Sequence, residues 1–310
     1  MPDLAGFLAA LELSPEADGA DQAGNAHFGA INMENPGPVV FGGQMLAQVV
    51  AAAARSVPGQ QVKSLHTVFA RGASAEADLS LEADVMHGGR AFSSLTISLR
   101  QGERLCARSL VLMEAGAADL IRHAPPAPAG SPEEAAPAGH GAAGAPNGHG
   151  AAGAPNGHGA GAPNGHGAGA VDWWEMRMGE GADFADPGAV GPPRLDVWMR
   201  FPGAPDDPVV DRALLAYASD GFLIGAALRP HPGFGQSLAH IEFATTVLTH
   251  TLTFHEPFRA SEWLLLAQEA PYAGRGRSYG RAHVFSEDGR LVASFVQEAM
   301  IRAQSESGPR

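Results

Sequence analysis

Apolar and polar positions follow two rhythms along this chain. Between Val62 and Glu114 they alternate in four runs, Val62–Ala70, Ala77–Met86, Ala91–Arg100 and Arg104–Glu114. The clearest stretch is Ala77-Asp78-Leu79-Ser80-Leu81-Glu82-Ala83-Asp84-Val85, whose period of two predicts a sheet with one wet face. The same rhythm returns in Ala244–Phe254, Glu262–Glu269, Ser278–Phe285 and Leu291–Ile301, and Ser286-Glu287-Asp288-Gly289 predicts the hairpin turn joining the last two. Two other segments are apolar on nearly every side. Met45–Ala54, opened by Gly42-Gly43-Gln44 and closed near Ser56 by Pro58 and Gly59, predicts one buried helix. Leu214–Leu228, stopped by Pro230, predicts a second, and its small residues (Ala216, Ala218, Gly221, Gly225) admit close neighbours. It is shorter than the roughly 20 residues a bilayer needs, so it reads as a core helix. A short helical stripe at Phe7–Leu13 and a strand around His27–Met33 precede these elements.

Leu214–Leu228 carries one ionisable residue, Asp220, in its middle. A carboxyl buried there is costly without partners, which directs attention to the last strand. In that strand Leu291, Ala293, Phe295, Gln297, Ala299 and Ile301 share one face, while Ser294, Glu298 and Arg302 share the other. Gln297 is therefore expected to point inward, where it needs a hydrogen-bonding partner, and Asp220 on the wrapped helix is a natural one. A purely structural Gln–Asp bond is the alternative.

Composition adds boundaries. The chain has 310 residues, long enough for about two domains. Residues 122–171 consist mostly of Pro, Ala and Gly, with a unit close to GAPNGHGA and histidines at 140, 149, 158 and 166. Such a stretch cannot fill a core and reads as a linker. Its histidines lack accompanying carboxylates, which points to repetition of sequence rather than a metal site. A net charge of −13 argues against a nucleic-acid or anionic-membrane partner. The single cysteine, Cys106, excludes an intrachain disulfide and a cysteine-based zinc site. The first residues show no basic region followed by a long apolar run, so a cytoplasmic protein without a signal peptide or membrane span is expected.

The regions on either side of the linker repeat one another. Each has a leader, a buried helix and about four antiparallel strands. Gly89-Arg90-Ala91-Phe92-Ser93 matches Gly276-Arg277-Ser278-Tyr279-Gly280, and the turn glycines Gly102 and Gly289 follow at equal spacing. Phe69 and Phe254 sit at a similar offset. Duplication explains this order, and a helix wrapped by a curled antiparallel sheet, present twice, predicts an α+β tandem (double) hot-dog. The expected domains are 1–121, the linker 122–171, and 172–310, with the two sheets able to join. Aligned on Pro58 and Pro230, Gln48 falls opposite Asp220; aligned on the turn glycines, Val111 falls near Gln297. One of two ancestral sites would then have been kept, in the C-terminal domain.

These residues resemble the type II acyl-CoA thioesterases of double hot-dog fold. The resemblance rests on FGGQMLAQ (41–48), SLHTVFARG (64–72), GGRAFSS (88–94), LLAYASD (214–220), FHEPFRASEWLLL (254–266), GRGRSYG (274–280) and DGRLVASFVQEAMIR (288–302). It implies hydrolysis of acyl-CoA to free fatty acid and coenzyme A, with no cofactor or metal, by a homo-oligomer. The family holds its hydrolytic water with an Asp, a Ser or Thr, and a Gln, which correspond to Asp220, Val247 and Gln297. Val247 departs from that pattern. Residues 247 and 249 of a regular strand face the same way, so Thr249 is the expected substitute hydroxyl, with Thr245 as second candidate. Gly43, Gln44, His66 and Arg277 are the candidate substrate contacts; for His66, as for His250 and His255, a structural hydrogen bond is the competing role. An acyl-CoA-binding protein weakened at Val247 is the competing function. Other hydrolase plans fit poorly: Gly235-Gln236-Ser237-Leu238-Ala239 is not a nucleophile elbow, and His240-Ile241-Glu242 lacks the second histidine of a zinc helix.

Overall fold

The computed structural model describes residues 2–15, 26–34, 37–137 and 173–304. The GAPNGHGA repeat and its histidines at 140, 149, 158 and 166 lie outside the described residues. In chain order the elements are α1 (Leu4–Leu11), β1 (Ser14–Pro15), β2 (Ala26–Ala30), α2 (Gly42–Ser56), β3 (Gln61–Phe69), β4 (Leu79–Gly88), β5 (Phe92–Gln101), β6 (Arg104–Glu114) and β7 (Ala136–Pro137). After the undescribed segment come β8 (Glu175–Met178), β9 (Arg194–Arg200), α3 (Pro208–Ser219), α4 (Leu223–Leu228), β10 (Phe243–Phe254), β11 (Leu264–Gly274), β12 (Arg277–Ser286) and β13 (Leu291–Ala303). This is the tandem hot-dog predicted from the repeat.

All strands belong to one antiparallel 13-stranded sheet, in the order β1-β2-β4-β5-β6-β3-β10-β13-β12-β11-β9-β8-β7. The order is a palindrome about its centre: β3, β6, β5, β4 and β2 mirror β10, β13, β12, β11 and β9. Four strands, β1, β7, β8 and β9, are not predicted by the sequence pattern, although β9 is the counterpart of β2. The halves join through β3 and β10, which pair from Ser64 opposite Thr253 to Val68 opposite Thr249. His66 lies opposite Thr251 at this seam, and its Nδ1 is 2.7 Å from the Thr251 Oγ1.

The duplication extends to irregularities. A β-bulge falls between Val62 and Ser64 in β3, and another between Val247 and Thr249 in β10. With these superposed, Leu65 opposite Val111 corresponds to His250 opposite Gln297, and Phe69 opposite Ala107 to Phe254 opposite Ala293. Gln297 thus replaces Val111, and His250 replaces Leu65.

Inside the sheet lie the helices. From Gly42 to Ala53 every residue of α2 is buried, and each Val, Leu or Met removed from water contributes about 1.5–3 kcal/mol. α2 packs against α3. Gly43 makes this possible, because a Cβ there would run into the Tyr217 carbonyl oxygen and the Phe41 ring. Tyr217 also holds the halves together through edge contacts with Phe7 and Phe41, at 5.4 and 5.1 Å between ring centroids.

The predicted single helix Leu214–Leu228 is two helices. α3 begins at Pro208, with Asp207 accepting from the Val209 N–H. It ends at Ser219. Asp220 is its C-terminal cap, and the Gly221 N–H bonds the Ala218 carbonyl oxygen before α4 starts at Leu223. An apolar run does not by itself report a break between two buried helices; the Asp-Gly pair is the available signal. The break turns Asp220 out of the helical ladder. Of the segment assigned to the linker by composition, residues 122–137 run along the C-terminal half: Arg122 meets Glu256, Ala135 is buried, and β7 pairs with β8.

Candidate active site

Asp220 and Gln297 meet. The Gln297 Nε2 donates to the Asp220 Oδ1 at 2.8 Å, and Gln297 and Asp220 are 2% and 6% exposed respectively. β13 carries Gln297 inward on the face predicted from its period, while Glu298 is exposed. Asp220 reaches the same point because the break between α3 and α4 places it beside the first residues of α2. A Cβ on Gly42 would lie 2.5 Å from the Asp220 Oδ2 and 3.3 Å from the Phe69 ring. Two oxygens at this junction, Asp220 Oδ2 and Gln297 Oε1, are buried and make no hydrogen bond with the protein.

Burial pushes the Asp220 carboxyl up to about 8, with the Gln297 amide and the Gly43 backbone N–H pulling it partly back. The N-terminus of α2 adds a positive potential there. A carboxyl in this range can take a proton and give it back near neutrality.

The third polar group is His250, fully buried, with its Nδ1 3.9 Å from the Asp220 Oδ1 and 3.4 Å from the Gln297 Nε2. Its Nε2 lies 2.9 Å from the Ser219 Oγ, and the Ser219 hydroxyl donates to the Ala216 carbonyl oxygen. Ser219 therefore accepts from Nε2–H, which leaves Nδ1 bare to accept from the Gln297 amide. Burial holds the His250 ring down at about 3, with the His66 charge adding to the effect, so the ring stays neutral.

Thr249 is not part of this group. The bulge at Leu248 inserts one residue, so the alternation reverses between Val247 and Thr249. Thr249 faces outward, opposite Glu298 and Val68, and His250 takes the inward position. The expectation that 247 and 249 share a face fails for that reason. Thr245 is buried but its Oγ1 lies 3.3 Å from the His240 Nε2. Neither threonine replaces the hydroxyl missing at Val247.

The remaining candidates divide. Gly43 is at the site through its N–H. Gln44 is occupied elsewhere: its Oε1 accepts from the Met33 N–H and its Nε2 donates to Asn32. His66 is on the outer face with Thr251, away from Asp220. Arg277 lies opposite Met300 and donates to the Gly276 carbonyl oxygen. His255 is bonded to Ser294 on an exposed face. Gln48, the counterpart of Asp220, is spent on the Ala10 and Ile31 carbonyl oxygens. Sequence reasoning misses the placement of His250 and Ser219 beside Asp220; the register match of Leu65 with His250 is the signal that could find the first.

A cavity of about 420 Å³ opens beside the site, where β10 runs on beyond the end of β3. Gly42, Met45, Phe69, Val247 and Met300 are among the residues that line it. Asp220 stands immediately behind Gly42.

Known proteins show the same organisation. The profile of the acyl-CoA thioesterase N-terminal domain matches residues 30–113, and that of the C-terminal domain matches 141–301. Mouse acyl-coenzyme A thioesterase 8 is 28% identical over 269 residues, covering 85% of this chain and 80% of the relative. Acyl-CoA thioesterase 2 of Haemophilus influenzae is 28% identical over 270 residues, covering 85% and 87%. Among solved structures, a TesB protein of Mycobacterium avium subsp. paratuberculosis has a TM-score of 0.73 at 24% identity, over 96% of this chain and 99% of that one. The acyl-CoA thioesterase II TesB2 of Mycobacterium marinum has a TM-score of 0.70 at 24% identity, over 98% and 99%.

Proposed function

The chain belongs to the acyl-CoA thioesterase family and is a thioester hydrolase; from that premise we propose that Asp220, held by Gln297, is the general base that hydrolyses acyl-CoA to free fatty acid and coenzyme A. The observation that carries this assignment is the buried 2.8 Å bond between the Gln297 amide and the Asp220 carboxyl at the start of α2. A water donating to Asp220 Oδ2 and Gln297 Oε1 is aimed by both. Asp220 takes one proton as the water oxygen attacks the thioester carbonyl carbon. The carbonyl oxygen gains the negative charge, which the N-terminus of α2 stabilises. Collapse expels the thiolate of coenzyme A, whose pKa of roughly 8.5 makes it a competent leaving group. It takes the proton back from Asp220. Neutral His250 accepts from the Gln297 amide and fixes its orientation.

Thiol release from a panel of acyl-CoA esters tests this. Asp220→Ala and Gln297→Ala are expected to lose most release while unfolding cooperatively; full activity in both variants removes the assignment. A second reading, acyl-CoA binding with little turnover, is favoured by Val247 at the position where the family carries a hydroxyl. Thermal stabilisation by acyl-CoA without thiol release would select it. The reading also places the protein in the cytoplasm as a homo-oligomer, which fractionation and light scattering check. No helix among the described residues is long and apolar enough to cross a membrane.

A further inference from the structure

The sheet seam carries two slots, one at each end of the β3–β10 pairing, and they are related by the internal duplication. At the first, the Ala70 and Arg71 N–H groups both donate to the Cys106 carbonyl oxygen, at 2.8 and 3.1 Å. At the second, the His255 and Glu256 N–H groups both donate to the Val292 carbonyl oxygen, at 2.8 and 3.3 Å. Phe69 lines the first slot and its counterpart Phe254 the second. Arg71 therefore occupies the place that Glu256 occupies in the other half.

The slots have diverged in charge. Arg71 and Arg104 line the first, the cavity that ends at Gly42, and no carboxylate is among the described residues that line it. The Arg104 Nη2 donates to the Gly72 carbonyl oxygen at 2.9 Å, which holds the guanidinium at the rim. Burial pushes the Cys106 thiol up, and Arg104 and Arg71 both oppose it, so the two positive charges converge beside this residue. This cationic spot belongs to a chain of net charge −13. The second slot is lined by Glu114, Asp119 and Glu256. These are already paired with Lys63 and Arg122, at 2.5–3.6 Å. The Arg212 guanidinium lies over the Phe254 ring at 5.5 Å and donates to Gln61, standing across the path inward.

We propose that Arg71 and Arg104 bind the phosphate groups of the coenzyme A moiety at the mouth of the first slot. The proposal rests on the thioesterase reading for the identity of the ligand. Guanidinium groups match phosphate oxygens in geometry and charge. The apolar wall behind them, from Phe69 and Met45 to Val247, suits the uncharged arm that carries the thioester towards Gly42 and Asp220. In the second slot Lys63 and Arg122 are already engaged by carboxylates, and the Arg212 guanidinium over the Phe254 ring stands across the passage.

The test compares an acyl-CoA with the same acyl group on N-acetylcysteamine, which has no phosphate, using the full chain with Arg71→Glu, Arg104→Glu and both together. The ratio of kcat/KM for acyl-CoA to that for the phosphate-free ester is expected to fall at least about tenfold in the double variant, the scale of one charge-assisted hydrogen bond to phosphate. Arg71→Lys with Arg104→Lys should restore most of it. An unchanged ratio overturns the proposal. Calorimetry with coenzyme A and with pantetheine separates this outcome from failure of the thioesterase reading. Wild-type protein should bind coenzyme A more tightly, with the preference abolished in the double variant even if neither ester is hydrolysed. Equal affinity of the wild type for both compounds would also overturn the proposal.

Discussion

A carboxyl held at about 8 by burial is protonated in most molecules at neutral pH, so Asp220 is ready as a base only in the deprotonated fraction. The kcat/KM for thioester hydrolysis is therefore expected to rise with pH, with its midpoint at about 8, and to level off above it. The Gln297 amide lowers the Asp220 value; whatever activity remains in Gln297→Ala should show its midpoint at higher pH, and a midpoint that stays in place would remove Gln297 from this role. The same shift acts on stability. Below the ordinary carboxylate value of 3.8 both folded and unfolded chains hold the proton. Above it the unfolded chain releases the proton first, so stability declines as pH rises and this contribution is lost through about 8. Asp220→Asn removes that decline, and its melting temperature should exceed the parent's by a margin that grows from pH 5 to pH 9. Two neighbours complete the site. Gly42→Ala would put a methyl against the Asp220 Oδ2 and the Phe69 ring, and at least about a tenfold loss of kcat/KM is expected from such a displacement. Val247→Thr restores a hydroxyl at the end of the cavity, and kcat should increase in a steady-state assay if the valine limits turnover.

Periodicity reveals most of the elements because most of the sheet has one face on a core. Strand β13 is the clearest case: alternation alone turns Gln297 inward and Glu298 outward. Two irregularities escape it, and both bear on the site. The bulge at Leu248 adds one residue to β10, and no period of two can report an insertion, so alternation puts Thr249 inside where His250 lies. The break at Asp220–Gly221 is hidden because both α3 and α4 are buried on all sides, leaving no polar face to mark the change of direction. The repeat holds the missing information, since β3 carries the equivalent bulge at Lys63. Deleting Leu248 should remove the bulge and leave the register intact, with Val247 opposite Ala299, Thr249 outward opposite Glu298 and His250 inward opposite Gln297, so the variant is expected to keep its thiol release. At the helix level, Gly43→Ala drives a Cβ into Tyr217 and Phe41; forcing α2 away from α3 should cost about 1–3 kcal/mol, read as a lower urea midpoint with an unchanged slope.

At the scale of the molecule, two hot-dog units share one sheet and one core. The cluster that contains Phe7, Phe41 and Leu46 from the first half continues through Tyr217, Phe254 and Phe295 of the second without interruption. The site depends on this union, because Gly42 and Gly43 come from one half while Asp220, His250 and Gln297 come from the other. Neither unit alone can set the N-terminus of α2 against the Asp220 carboxyl. On the proposed reading the halves divide the work: the first supplies a helix terminus and the arginine-lined mouth, the second the base and the amide that orients it. Such an interface leaves no boundary at which one half can open independently. Calorimetric unfolding is expected to show one transition, with the directly measured enthalpy equal to the van't Hoff value. Residues 2–137 produced without the rest should fail to fold cooperatively, since α2 would expose the face that α3 covers and β3 would present a bare edge. Two separate transitions in the intact chain, or a stable isolated first half, would show that the units are autonomous and that the shared core is not what holds the site together.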